Sequence, residues 1–173
     1  MFTKESTPLF ATKKGKILGQ LTPGTQVTVL RKAGSKVEVT FDGWTEEYRE
    51  LEIFAGKELR IERASLVRIS DKHRKVLKKD KGRFDVAWTQ VKLTGWVNKR
   101  QLTNKLDGVW KKARDIHQER CTECHDFMQA SEFTAQQWSG TLRIMTHRAA
   151  LTPEEEVLVR QYLQSHARDK TSD

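Results

Sequence analysis

Both cysteines of this 173-residue chain fall in one five-residue stretch, Cys121-Thr122-Glu123-Cys124-His125. The pattern C-x-x-C-H reads as a c-type haem attachment site. Two intervening residues let both sulfurs reach neighbouring vinyl groups of a porphyrin, and the adjacent imidazole is carried under the iron by the same turn. Two other uses of such a motif make demands that its surroundings do not meet. A redox dithiol expects a βαβ setting, and a zinc site needs two further ligands at regular spacing. Cys121 and Cys124 are therefore the expected attachment points of one covalent haem c, and His125 the expected first axial ligand.

The residues around the motif have helical period. Val109, Trp110, Ala113 and Ile116 can share one face, and Asp107 can cap it, so a helix is expected to run into the motif. After a loop through residues 127–130, Thr134-Ala135-Gln136-Gln137 is a capping box that opens a second helix. Trp138, Leu142 and Met145 share one face of it, which puts Met145 at the C-terminal end on the interior side. A third helix starts at Thr152 as N-cap, with Pro153 at the first helical position and Glu155 completing another capping box. Leu158, Val159, Tyr162 and Leu163 form its apolar stripe, and residues 168–173 are expected to fray.

Upstream the period is two. Residues 8–11, 17–21, 26–30 and 37–41 read as short strands, with turns at Thr22-Pro23-Gly24-Thr25 and Asp42-Gly43. Residues 51–55 and 59–64 form a further hairpin that continues to Ile69, and residues 84–91 resume an alternating strand. Strands of this length and spacing predict a small barrel. Val39-Thr40-Phe41-Asp42-Gly43-Trp44 recurs as Val91-Lys92-Leu93-Thr94-Gly95-Trp96, a pattern open to two tandem half-units or to one barrel with an inserted hairpin. Residues 21–44 with their closing Gly-Trp resemble bacterial SH3-like domains, and Gly95-Trp96-Val97 repeats that closing signature. Trp44, Trp88 and Trp96 are expected in the core and rim of the barrel. The basic segment 71–81 is expected to be a charged hairpin tip with its turn at Asp80-Lys81-Gly82, and His73 lies on it.

The expected fold class is thus α+β with two domains. Residues 1–103 form one or more SH3-like β barrels and residues 104–173 an all-α minimal cytochrome c domain. Hydrophobic residues make up 36% and charged residues 32% of the chain. That balance suits small globular units and is too apolar for general disorder. No run approaches the length of a membrane span, and no signal-peptide core follows Met1. Haem is attached to such motifs outside the bacterial cytoplasmic membrane, so a periplasmic chain is expected, with its leader or membrane anchor upstream. The net charge of +9 is uneven: residues 1–103 carry 22 Lys and Arg against 12 Asp and Glu, and residues 104–173 carry 10 against 11. A basic surface attracts nucleic acid, anionic lipid or an acidic protein. An exported haem protein rarely meets nucleic acid, which is not expected as a partner.

The sixth iron ligand is first sought at Met145, because it shares a helix face with Trp138 at a workable distance after the motif. His147 is the second candidate, followed by Met128 or an open position. A thioether ligand would raise the reduction potential relative to a second histidine. His117 and His166 read as packing or helix-surface histidines.

Trp110, the Cys121–His125 motif, residues 133–138, Gly140-Thr141-Leu142, Met145, Leu151-Thr152 and residues 162–169 together resemble the C-terminal monohaem domain of pentahaem cytochromes that serve trimethylamine N-oxide reductases and related S- and N-oxide reductases. An SH3-like segment precedes that domain in the family, so the resemblance spans nearly the whole chain. It departs in one respect: the family's membrane-anchored tetrahaem part is not in this sequence. The resemblance implies an electron carrier rather than an enzyme. It implies a periplasmic molybdopterin S- or N-oxide reductase as acceptor and an upstream multihaem cytochrome or domain as donor. It also implies attachment at Cys121 and Cys124, His125 as proximal ligand and Met145 as distal ligand. Two other functions remain open: an SH3-like binding module with the haem domain as sensor, and an enzymatic haem with an open sixth position.

Overall fold

The computed structural model describes residues 1–68 and 71–170. Ile69, expected to end a strand, and Thr171 to Asp173, expected to fray, lie outside them. The chain divides into two compact units, Met1–Asn104 and Lys105–Asp173, the first built of strands and the second of helices. The fold is α+β.

The first unit contains β1 (Phe2–Thr3), β2 (Thr7–Phe10), β3 (Ile17–Leu21), β4 (Thr28–Ala33), β5 (Lys36–Glu46), β6 (Arg49–Gly56), β7 (Leu59–Leu66), β8 (Arg74–Lys81), β9 (Ala87–Asn98) and β10 (Leu102–Thr103). β1 pairs with β10. The other eight form one sheet in the order β4-β5-β6-β7-β3-β2-β9-β8, and an additional β5–β9 pairing closes β5, β6, β7, β3, β2 and β9 into a ring. Alternation drives the closure. Val37, Val39, Phe41, Val91, Leu93 and Val97 point inward with Leu9, Leu21 and Ile53, all nearly inaccessible to solvent. Each such side chain contributes about 1.5–3 kcal/mol by leaving water.

The two echoed segments are neighbours in this sheet. β5 and β9 run antiparallel with Val39 opposite Gly95, Phe41 opposite Leu93 and Gly43 opposite Val91. Each glycine thus faces the other copy's valine. Asp42-Gly43 is not a turn, as its composition suggested, but the middle of β5. Glycine serves there for close approach: a Cβ on Gly43 would lie 2.3 Å from Ile53 Cγ2 and 2.9 Å from the Phe54 carbonyl oxygen. The chain turns instead around Tyr48, which has a φ of 63°.

The basic segment also departs from expectation. Residues 74–81 are a strand at the sheet edge, hydrogen-bonded to β9, and the chain reverses through residues 83–85. Pairing with an alternating neighbour gives this charged run a ladder that its own composition does not announce. Trp88 is buried, whereas Trp44 and Trp96 are half-buried.

The second unit comprises α1 (Leu106–Cys121), α2 (Ala135–Met145) and α3 (Pro153–Ser165). Thr134 accepts from the Gln137 N–H and Thr152 from the Glu155 N–H, each with the reciprocal glutamine or glutamate bond of a capping box. α1 has Lys105 at its N-cap, and its side chain does not cap the helix. Asp107 sits inside the first turn, where its charge complements the helix dipole instead of capping it. Trp110 packs on Tyr162 and His166, while Val109, Ala113 and Leu158 share an apolar cluster. Gln164 crosses to α2, donating to the Ala135 carbonyl at 3.0 Å and the Ser139 hydroxyl at 2.9 Å.

Candidate haem-attachment site

The C-x-x-C-H motif emerges where α1 ends. Cys121 is the last residue of α1, and the Thr122 hydroxyl donates to the Gln118 carbonyl at 2.7 Å, satisfying one of the acceptors that a helix end leaves open. Cys121 is half-buried, and burial pushes its thiol above the usual cysteine range. Cys124 is exposed, and His125 is half-buried. The Nδ1 of His125 lies 2.7 Å from the Asp126 carbonyl. A carbonyl only accepts, so this contact assigns the proton to Nδ1 and leaves the Nε2 lone pair available to a metal.

Cys121, Cys124 and His125 line one cleft of about 130 Å³ together with Arg120, Met145, Arg148 and Ala149. The segment that ends α2 therefore meets the segment that ends α1. Met145, half-buried, brings its thioether to the same cleft as the two thiols and the imidazole. His147 is exposed and Met128 half-buried, and neither lines the cleft. Arg120 and Arg148 carry no local signature of such a role. The one hint in the sequence is position: Arg120 adjoins Cys121, and Arg148 lies about one helical turn beyond Met145.

Behind the cleft, His117 is 2% exposed. Its ring lies 5.1 Å from that of Phe127 and 6.0 Å from that of Trp138, and its Nδ1 is buried without a hydrogen-bond partner among the described residues. Burial first, and the nearby His125 second, hold its pKa below the ordinary histidine value and favour the neutral ring. Trp138 donates its indole N–H to the Ala130 carbonyl at 2.7 Å and meets Phe133 edge-on. His166 is half-buried at the end of α3 against Trp110 and Tyr162.

The donor set suits a haem. Two thiols at the attachment spacing, an imidazole with a tied Nδ1 and a thioether are the groups that hold a porphyrin and its iron. Among the described residues no group of three His, Cys, Asp or Glu side chains could hold a bare metal ion. The cleft is smaller than the roughly 300–1,000 Å³ of pockets that enclose small molecules, so it has room for the edge of a large planar ligand and not for the whole of one. Phe127 and Ile144, 42% and 65% exposed, add apolar surface from the adjoining segments. No helix among the described residues is long and apolar enough to cross a membrane.

A family model described as the TorC third cytochrome c domain matches residues 1–102, the strand-built part of the chain, and both cysteines lie beyond it. The cytochrome c-type protein TorC of Escherichia coli strain K12 is 30% identical over 174 residues, which cover 98% of this chain and 44% of the relative. TorC of Escherichia coli O157:H7 matches to the same extent. The cytochrome c-type protein TorY of Haemophilus influenzae is 25% identical over 151 residues, covering 87% of this chain and 41% of TorY. The chain thus spans less than half the length of these relatives. No solved structure matches it.

Proposed function

The chain belongs to the TorC cytochrome c family, whose third cytochrome c domain its residues 1–102 match, and from that membership we propose that it carries electrons through a single haem c. In this reading Cys121 and Cys124 would hold the haem by thioethers, and His125 and Met145 would ligate its iron, with His147 as the alternative to Met145. Residues 104–173 are the haem-bearing part, and residues 1–103 an SH3-like part. What supports the reading is the convergence of Cys121, Cys124, His125 and Met145 on one cleft, although the two helix ends that carry them are separated in sequence.

A bound haem supplies a one-electron couple. The protein's task is positioning and insulation. The Asp126 carbonyl orients the His125 ring, and Met145 offers a neutral thioether, which favours the reduced state relative to a second imidazole. Arg120 and Arg148, which line the cleft, would offer cations to the carboxylates of a bound haem. Trp138 and the neutral His117, both buried, would keep water from the inner side. No acid and base pair is needed. Following the resemblance, the acceptor is a periplasmic molybdopterin S- or N-oxide reductase and the donor an upstream multihaem cytochrome or domain.

The test is optical. The chain matured with covalent haem is expected to show a Soret band, a sharp reduced α-band and the mass of one haem; absence of all three in properly exported protein overturns the proposal. Met145→Ala should remove the weak long-wavelength absorption of the ferric state. An unchanged spectrum would assign the ligand to His147.

A further inference from the structure

Away from the haem motif, the strand-built unit contains a cavity of about 300 Å³ whose wall carries Arg63 of β7, Lys92 of β9, Asp42 of β5 and Thr28 of β4. Arg63 stands apart from the other arginines near it. Arg60, on the same strand, donates its Nε–H to Glu46 Oε2 at 2.8 Å and bonds the second oxygen as well; Arg49 pairs with Glu52 and Arg31 with Glu38. Arg63 is half-buried, yet among the described residues its guanidinium forms no ion pair and makes only one long hydrogen bond, 3.4 Å to the Gly24 carbonyl. Burial alone pushes its pKa below the usual guanidinium value. A cation withdrawn from water without a counter-charge is costly, and proteins retain one where something supplies the charge.

The site is also held in place. The Arg63 backbone carbonyl accepts from the Thr25 hydroxyl at 2.9 Å and from the Thr22 backbone N–H at 3.0 Å, so the strand that carries the guanidinium is fixed at that residue. Lys92 lies 3.6 Å from Asp42, and the two cations and one carboxylate leave the wall with a single net positive charge. Thr28, an exposed residue of the wall, adds a hydroxyl as a neutral donor.

We infer that this cavity binds a carboxylate group, with the Arg63 fork taking its two oxygens, Lys92 adding long-range attraction and Thr28 a lateral hydrogen bond. A planar monoanion matches both the guanidinium geometry and the single surplus charge, whereas a doubly charged phosphate would face the Asp42 carboxylate with only partial compensation. The inference does not depend on the haem reading. The carboxylate can be a small free acid or the side chain of an acidic peptide, and the two sources are separable.

The experiment follows the amide resonances of Thr25, Thr28 and Ala55 in the full chain during titration with acetate, with a short glutamate-containing peptide and with chloride at matched ionic strength. Saturable shifts from a carboxylate but not from chloride are expected. Arg63→Gln should weaken binding about tenfold or more, as expected for a lost hydrogen bond to a charged group. Asp42→Asn, at an exposed side chain whose removal leaves the core intact, should tighten it. Tighter binding of the peptide than of acetate identifies a protein-borne carboxylate, and equal binding a free acid. Shifts identical to those of chloride, or an affinity unchanged by both substitutions, overturn the inference.

Discussion

The two units bury their interiors by different means. In the strand-built unit the inward faces of β5 and β9 carry aliphatic side chains that complete one another, and the charged Glu46 at its margin is fully paired with Arg60 and Arg49. In the helical unit the interior holds three polar atoms without a hydrogen-bond partner among the described residues, the His117 Nδ1 and both amide atoms of Gln161, a residue only 1% exposed, against one in the strand-built unit, the Gln101 Oε1. A barrel closed by its own strands completes its apolar core from within. Three helices of this length enclose less, and a haem supplied to the cleft would complete their core.

The largest effect expected from this contrast follows from Trp138, which is 1% exposed and anchored to Ala130. Trp138→Ala should cost about 3–5 kcal/mol and leave the helical unit of the haem-free chain unfolded, while the strand-built unit keeps its amide-exchange protection. Leu9→Ala, at a fully buried position of the barrel, should cost about 2–5 kcal/mol and be felt in the strands alone. Comparable losses in both units from either substitution would break the contrast.

Acid separates the units next. His117 has a depressed folded pKa, set by burial and by the adjacent His125, so the unfolded chain takes up the proton first. The stability of the helical unit should therefore be full above about pH 6.5 and decline as pH falls toward the folded value. Glu46 is held low chiefly by its hydrogen bond to Arg60, so its contribution is present above about pH 4.3 and is lost as pH falls through the folded value. Unfolding by denaturant at stepwise pH, read separately from amides of each unit, should show the helices weakening first. His117→Leu should flatten the upper part of that profile.

The smallest expected effect is local. Thr152→Ala removes half of the capping box at α3 and should cost about 1 kcal/mol, visible as fraying around Glu155 with no change in the strands.

What the sequence disclosed follows the range of the interaction concerned. Thr134 with Gln137 and Thr152 with Glu155 are pairs three residues apart, and both capping boxes are legible without knowing the fold. Gly43 is ambiguous in the sequence because glycine has two uses, turning the chain and admitting a neighbour, and only the position of Ile53 decides between them. Residues 74–81 do not announce a strand because strand formation there depends on β9. His117 extends the Val109 and Ala113 stripe at four-residue spacing, a signal for burial that its polarity obscured. At the candidate site the motif is contiguous and therefore plain. Met145 was placed by its helix face, while Arg120 and Arg148 reach the cleft through tertiary packing that leaves no local pattern.

The β5–β9 ladder has a consequence in time. Its eleven consecutive pairs join stretches far apart in the chain, as in the bond from Thr40 to the Leu93 carbonyl across 53 residues. Loop entropy is spent before any of these pairs can form, whereas the capped helices close their first turns locally. Refolding of the barrel should therefore lag behind that of the helices, and a nascent chain, although it can pair β5 with β4 and β6, must hold the other edge of β5 open until β9 has been synthesised.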